Sequence, residues 1–283
     1  MNVLACIDRS RFASSVCDHA VWSAIRLGAS IELLHVIERH PRPVISADHS
    51  GRLGLDSSES LLAELVAVDE RRNRLAHETG RLLLEAAAKR VRAAGVEHVT
   101  QRLVHGDLIR HLKHHETDND LVVIGRSGEV EEPPAHHMGR NLERVIRTSH
   151  LPVLVVPDSF RPVRTFLFAY DGGRSAGAAV MFLVETGFLN GLEGQLLLVG
   201  DGTGHSVTHL ADATRHFGAA GHVIVPTVRD GNPRQVILET IEREAIDFLV
   251  MGSYGHSRIR SLVVGSTTTE VLQRCDTPLL VVR

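Results

Sequence analysis

The sequence predicts an α/β protein made of two tandem, doubly wound domains, each with a five-stranded parallel sheet. A chain of 283 residues is long enough for two domains of ordinary size. Hydrophobic residues make up 43% of the chain but aromatic residues only 4%, which predicts aliphatic strands covered by helices on both faces. In addition, several strand-like segments occur twice in the same order. These three observations together define the fold class.

The internal repeat is visible in four pairs of segments. Three pairs lie about 126 residues apart, and the pair that opens the two halves lies 163 residues apart. Each opening segment is an apolar strand that ends in aspartate, Asp8 in the first half and Asp171 in the second. The matched segments are 3–8 with 166–171, 104–107 with 228–232, 120–125 with 247–252, and 151–156 with 277–282. A repeated order of elements predicts two copies of one supersecondary unit.

The first half is longer than the second by about 37 residues, the difference between the two offsets. Residues 39–60 are rich in Pro, Gly, Ser and Asp and predict a long loop. Apolar residues near helical spacing over 61–94 predict a long helix after that loop. The counterpart in the second half is a short helix around 205–217.

Strands alternate with helices through both halves, which predicts parallel sheets with helices on both faces. The interruption at 157–164, with two prolines and several charges, predicts a linker between domains at 1–158 and 164–283. The predicted strands lie near 2–7, 30–37, 97–104, 120–124 and 152–156, and again near 165–170, 194–199, 221–228, 247–251 and 278–282.

Charge and composition argue against several classes of protein. The formal net charge of −3 gives no basic surface for nucleic acid, and no apolar run approaches the length of a membrane span. Cys6, Cys17 and Cys275 are scattered, which predicts a reducing, cytoplasmic location. The 18 histidines show no metal-ligand spacing, so we expect solvated histidines and no metal site, and a plain helix surface at Asp18 and His19.

A glycine-rich segment follows the fourth strand of the second half, where doubly wound sheets bind ligands. Gly252 and Gly255 are followed after nine residues by Gly265, Ser266, Thr267 and Thr268. Glycines admit a close backbone approach, and a helix N-terminus with hydroxyl side chains favours phosphate. We place the helix start at Glu270, with a Thr267–Glu270 capping box. Tight turns and an ordinary helix cap would explain the same residues without a ligand.

The pattern Gly252-x2-Gly255-x9-Gly265-Ser266 resembles that of ATP-binding universal stress proteins. The resemblance covers both halves and includes the aspartate after the first strand and the closing apolar strand. It implies a fold of the adenine nucleotide alpha hydrolase-like type, with ATP over the ends of the first and fourth strands. It also implies that the last strands of the two halves pair as a pseudo-dimer.

The resemblance also implies roles for individual residues of the second half. Asp171 would contact adenosine, Val199 would line the adenine pocket, and Met251 and Gly252 would flank the ribose and phosphates. The phosphate loop would comprise Gly255, His256, Gly265, Ser266, Thr267 and Thr268. Mg²⁺ or Mn²⁺ could accompany the phosphates, although the sequence contains no dedicated metal cage.

The first half departs from this pattern, which predicts a degenerate site there. Ten residues with three glutamates separate Gly128 from Gly139, and Arg140 and Asn141 follow. Carboxylates near a phosphate site repel it. Arg140 has two readings: it binds a phosphate, or it fills the phosphate position itself.

The expected function is that of an ATP-binding, cytoplasmic stress-response protein, which acts as a regulator or binding module. Its expected partners are adenine nucleotide, an unidentified protein and, in a homodimer, a second copy of the chain. One alternative is a slow ATPase or phosphotransferase, although the sequence shows no clear general base beside the phosphate loop. The other is a nucleotide-independent interaction module that acts through residues 39–94.

Overall fold

The computed structural model describes residues 1–38, 55–128, 139–200, 205–253 and 265–283. Strands and helices alternate along both halves. In the first half they are β1 (Asn2–Cys6), α1 (Ala13–Leu27), β2 (Ser30–Ile37), α2 (Leu55–Ala93), β3 (Val99–His105), α3 (Leu108–His114), β4 (Leu121–Gly125), α4 (Arg140–Thr148) and β5 (Val153–Val156). In the second half they are β6 (Thr165–Ala169), α5 (Arg174–Thr186), β7 (Glu193–Val199), α6 (His205–Ala219), β8 (Ile224–Arg229), α7 (Pro233–Glu244), β9 (Phe248–Gly252), α8 (Ser266–Arg274) and β10 (Leu279–Val282).

Each half contributes five parallel strands in the same spatial order. The first half runs β3-β2-β1-β4-β5, and the second runs β8-β7-β6-β9-β10. The chain therefore changes direction across the sheet between β1 and β4, and again between β6 and β9. The predicted fold class is confirmed.

The last strands of the two halves join the sheets into one. β5 and β10 pair antiparallel, with Leu154 opposite Leu280, and the result is a continuous ten-stranded sheet. The residues of both strands are fully buried in an aliphatic environment. The pairing expected between the two final strands is present, and each half thereby covers the other's exposed sheet edge.

Helices cover both faces of this sheet. α1, α2, α5 and α6 pack on one face, and α3, α4, α7 and α8 pack on the other. The alternation of strand residues between the two faces supplies each core with Val, Leu and Ile. The helix that follows β6 and the helix that follows β9 consequently leave the sheet on opposite faces.

Two predictions about helix boundaries were wrong. The long helix α2 begins at Leu55 and not at residue 61, so the Asp/Ser-rich stretch before the apolar positions is already helical. The acidic residues Asp56 and Glu59 suit this earlier start, because the positive end of the helix dipole favours carboxylates near a helix N-terminus. α8 begins at Ser266 and not at Glu270, because its N-cap is Gly265.

The expectation of a plain helix surface at Asp18 and His19 was also wrong. Asp18 accepts two hydrogen bonds from Arg90 of α2, each 2.7 Å long. His19 is fully buried, its Nδ1 lies 2.8 Å from the carbonyl oxygen of Ser15, and its ring meets Phe160 of the linker edge-on. Burial lowers the pKa of His19 to about 4, so the ring is neutral at pH 7.

Candidate nucleotide-binding site

The predicted site lies where β6 and β9 end side by side. Asp171 follows β6, and Met251 and Gly252 are the last two residues of β9. Neighbouring strands whose helices depart on opposite faces leave a crevice at their carboxyl ends, which is the usual ligand position in such sheets. Gly265 and the first turn of α8 lie at the same edge, because the Gly265 N–H donates to the carbonyl oxygen of Ser253, 3.1 Å away.

The first turn of α8 offers an uncapped helix N-terminus. Gly265 is the N-cap, no side chain caps the helix, and the first turn has no acidic residue. The predicted Thr267–Glu270 capping box is absent, since the Glu270 carboxylate pairs with Arg234 at 2.6 Å and with Arg274 at 3.5 Å. The N–H groups of this turn and the positive end of the helix dipole therefore favour an anion.

Three of the four hydroxyl residues at the start of α8 were predicted site residues, and they differ in accessibility. Ser266 is exposed and Thr267 is half-buried, so both can reach a ligand. Thr268 is only 4% exposed and donates its hydroxyl proton to the Gly252 carbonyl at 3.2 Å. Thr268 thus ties α8 to the end of β9, a role that the sequence did not suggest.

Asp171 forms part of the turn into α5. Its Oδ1 accepts the Gly173 N–H at 2.8 Å, and Gly172 adopts a positive φ of 73° between them. The equivalent Asp8 accepts the Ser10 N–H at 3.0 Å in the first half. Each aspartate therefore fixes the same turn, whatever else its second oxygen contacts.

Gly252 has a packing reason that is independent of any ligand. A Cβ at this position would lie 2.7 Å from the Ser175 Oγ and 3.0 Å from the Ala176 nitrogen. Only glycine lets α5 pack directly on the end of β9. Met251 and Val199 belong to the core beneath α7 and α8, where Met251 is 5% exposed and Val199 is half-buried. Gly255 and His256 lie outside the described residues.

Ser253 was not singled out in the sequence, although it lies between the two glycines of the motif. Its side chain is 1% exposed, and its Oγ has no hydrogen-bond partner among the described residues. A buried hydroxyl without a partner is uncommon and marks a place where a polar group can be received. It lies directly beneath the point where Gly265 meets β9.

The first half repeats this backbone with different side chains. Gly139 has φ −58° and ψ 139°, against −54° and 138° for Gly265, and its N–H donates to the Arg126 carbonyl at 3.2 Å. At the first turn of α4, however, Asn141 Nδ2 donates to the Glu38 carboxylate at 2.8 Å, and Glu143 adds a second acidic group. Two carboxylates thus lie at the helix end where phosphate would bind.

Two doubly wound halves, joined through their last strands and each with a helix N-terminus at its switch point, define a tandem α/β protein. The profile of the universal stress protein family matches residues 1–157 and 202–283. The universal stress protein Slr1230 of Synechocystis is 35% identical over 285 aligned positions, which cover 100% of this chain and 99% of that protein. The chain therefore belongs to the universal stress protein family.

Solved structures support the same fold over the whole chain. A universal stress protein from Archaeoglobus fulgidus superposes with a TM-score of 0.71 at 21% identity, covering 100% of this chain and 98% of its own. A putative universal stress protein from Pseudomonas aeruginosa gives 0.63 at 14% identity, covering 99% and 92% respectively. The fold of the whole chain is thus shared with these two structures.

Two features are absent from the described residues. No helix there combines the length and apolar character needed to cross a bilayer. Within the same residues, no three His, Cys, Asp or Glu side chains converge as metal ligands would.

Proposed function

We propose that the second half binds ATP at the crevice between β6 and β9, and that the protein acts as a nucleotide-responsive regulator in the stress response. The observation that carries this proposal is the uncapped first turn of α8, which has accessible hydroxyls and no carboxylate. The triphosphate would accept hydrogen bonds from the N–H groups of this turn and from Ser266 and Thr267.

The rest of the nucleotide would extend toward β6 and β7. Adenosine would lie near Asp171 and the end of β7 at Val199, with the ribose over Met251 and Gly252. Mg²⁺ or Mn²⁺ would be held chiefly by the phosphates, since no carboxylate cage occurs among the described residues. The buried hydroxyl of Ser253 would be available to form a hydrogen bond with a polar group of the ligand at this point.

The first half is proposed to be a degenerate site. The carboxylates of Glu38 and Glu143 occupy the neighbourhood of the α4 N-terminus, and like charges there would repel a triphosphate. We therefore expect the chain to bind a single ATP molecule.

The test is an ATP titration of the nucleotide-free full chain by calorimetry, with one matched pair of variants. Thr267 and Asn141 are the second residues of α8 and α4, so Thr267→Glu and Asn141→Glu place a carboxylate at equivalent positions. Thr267→Glu should weaken ATP binding by about 30-fold through repulsion, and Asn141→Glu should leave it unchanged. Equal effects of the two variants, or two ATP molecules per chain, would contradict the assignment.

A second candidate function, association through α2, is favoured by one observation. Every residue from 64 to 75 is exposed, including Leu65 at 37%, Val68 at 59% and Leu75 at 58%. The segment also carries equal numbers of acidic and basic residues, so it is complementary to itself and fits a second copy of this chain. Those residues are Glu64, Asp69 and Glu70, with Arg71, Arg72 and Arg74.

Sedimentation equilibrium with and without ATP tests this candidate. Val68→Glu with Leu75→Glu should convert a dimer into a monomer without changing ATP affinity, because α2 lies in the other half. A monomer for the unsubstituted chain at about 50 µM would rule out the association, since weak specific contacts are populated at such concentrations.

A further inference from the structure

A groove of about 390 Å³ lies between α5 and α6 and reaches the turn after β6, where Gly172 and Gly173 line it. Gly177, Val180 and Ala213 form an apolar floor, and Met181 forms one wall. His209, Asp212 and His216 form the opposite wall, and Tyr170 closes the end near the sheet. Volumes of this size hold small organic molecules.

At the equivalent place in the first half, an ion pair lies between α1 and α2. The offset of 163 residues places Met181 at Asp18, and the offset of 126 places His216 at Arg90. Arg90 Nε and Nη2 donate to the two oxygens of Asp18, each at 2.7 Å, and join α1 to α2. The offset of 163 residues also places Gly177 at Ser14, and the missing side chain widens the groove further.

The equivalence of the helices is independent of the sequence match. The Ala94 N–H bonds to the carbonyls of Arg90 and Val91, and the Ala220 N–H bonds to those of His216 and Phe217, so the two helices end in the same way. The helices α1 and α5 are also equivalent in their contacts. A Cβ on Gly125 would meet Phe12, and a Cβ on Gly252 would meet Ser175, and Phe12 and Ser175 are 163 residues apart. The groove therefore occupies the space where the first half holds a guanidinium group.

Hydrogen-bond acceptors dominate the polar wall of the groove. His216 Nδ1–H donates to the Asp212 carbonyl at 2.8 Å, and in this tautomer Nε2 is a hydrogen-bond acceptor. The Asp212 carboxylate accepts one bond from Arg215 at 2.6 Å and retains further acceptor capacity. Burial raises the pKa of Tyr170, and the nearby negative charges of Asp171 and Asp212 raise it further.

We propose that the α5–α6 groove binds a small organic cation, a planar guanidinium or amidinium on an apolar body. The cationic group would lie against Asp212 and His216, and the apolar body would lie on Val180, Ala213 and Met181. Such a ligand would supply the positively charged group that Arg90 supplies between α1 and α2 in the first half. The groove shares the turn around Asp171 with the proposed ATP site, but the described residues that line it include none from β9 or α8.

Benzamidine is a suitable probe, and Met181 is the reporter. The chain has four methionines, Met1, Met138, Met181 and Met251, so the methyl spectrum of a methionine-labelled sample is simple to assign. Benzamidine should shift the Met181 methyl signal saturably with a Kd of about 1 mM, as expected for a ligand of this size. The neutral analogue benzamide should bind at least about tenfold more weakly, because it lacks the charge.

Two variants locate the binding. Gly177→Leu fills the groove, and a Cβ at this position has no neighbour within 4 Å, so the fold should accept it. Met181→Asp with His216→Arg rebuilds the ion pair of the first half and should exclude benzamidine, measured by saturation transfer to the ligand. The proposal is overturned by an unchanged Met181 signal at about 10 mM benzamidine, by equal affinity for benzamide, or by full binding in Gly177→Leu.

Discussion

The N-termini of α4 and α8 share a backbone but differ in their charges. Both helices begin after a glycine with nearly the same φ and ψ, and both glycines bond to the strand that precedes them. Around α4 lie the carboxylates of Glu38 and Glu143, whereas the nearest carboxylate along α8, that of Glu270, pairs with Arg234. A repeated fold therefore preserves the geometry of an anion site, and the side chains decide whether an anion can occupy it.

The two halves also differ in how their first helices meet the rest of the molecule. Trp22 of α1 contacts Phe188 and Phe248 of the second half, at ring-centroid distances of 5.1 and 5.2 Å. Arg26 stacks on Trp22 and donates to the carbonyls of Phe188 and Asn190. The α5 residue equivalent to Trp22 is Glu185, which is exposed. The aromatic contact that α1 makes with the second half therefore has no counterpart at the equivalent position of α5.

The largest effect should come from breaking that contact. Trp22→Ala removes a large aromatic side chain from between the halves and should lower the free energy of unfolding by about 4 kcal/mol. Urea unfolding followed by circular dichroism measures the change. Ile25→Ala, on the same helix but at a position 63% exposed, should cost no more than about 0.5 kcal/mol. Similar losses in both variants would contradict a specific role for Trp22.

The next effect concerns pH. His19 of α1 corresponds to Phe182 of α5, and its pKa of about 4 lies below that of an unfolded histidine. Because the unfolded chain binds a proton that the folded chain excludes, stability contributed by this residue should fall as pH falls from about 6.5 to 4, by about 3 kcal/mol. The contribution of His19 to stability should be constant above pH 7.

His19→Phe tests this by giving the first half the side chain of the second. Unfolding free energies at pH 5 and pH 7 should differ less in the variant than in the unsubstituted protein. An identical pH dependence would mean that other groups account for the acid sensitivity.

The smallest effect concerns the ion pair that has no counterpart in α5 and α6. Asp18 and Arg90 are partly exposed, at 28% and 49% of their side-chain areas, so solvent screens their attraction. A double-mutant cycle with Asp18→Ala and Arg90→Ala should give a coupling of about 1 kcal/mol or less. The equivalent cycle with Met181→Ala and His216→Ala should give a coupling near zero. Equal coupling in both halves would remove the distinction on which the groove depends.

Much of the fold could be predicted from the sequence, because it depends on local periodicity and repetition. The aliphatic strand segments, their order and the tandem repeat all follow from residue types and spacing. Helix boundaries were predicted less well, since Gly265 caps α8 in place of the Thr267–Glu270 pair. The expected capping box was wrong because Arg234, which is distant in sequence, pairs with Glu270.

The candidate site was predicted in part. Gly265, Ser266 and Thr267 do lie at a helix N-terminus at the switch point, as their order indicated. Their assignment to ATP stays a prediction. The uses of Gly252 and Thr268 could not be predicted, because both depend on contacts between elements that meet only in the folded chain.

The sequence by itself determined the class of fold and the family, since both are encoded in repeated apolar segments and glycine spacing. Only the tertiary structure decided which hydroxyls of α8 are accessible and that His19 is buried. It also decided that an ion pair joins the helices of one half where the other half has a groove. The physical reason is that burial and charge pairing depend on residues brought together from distant positions. A pattern along the chain gives the types of those residues but not their neighbours.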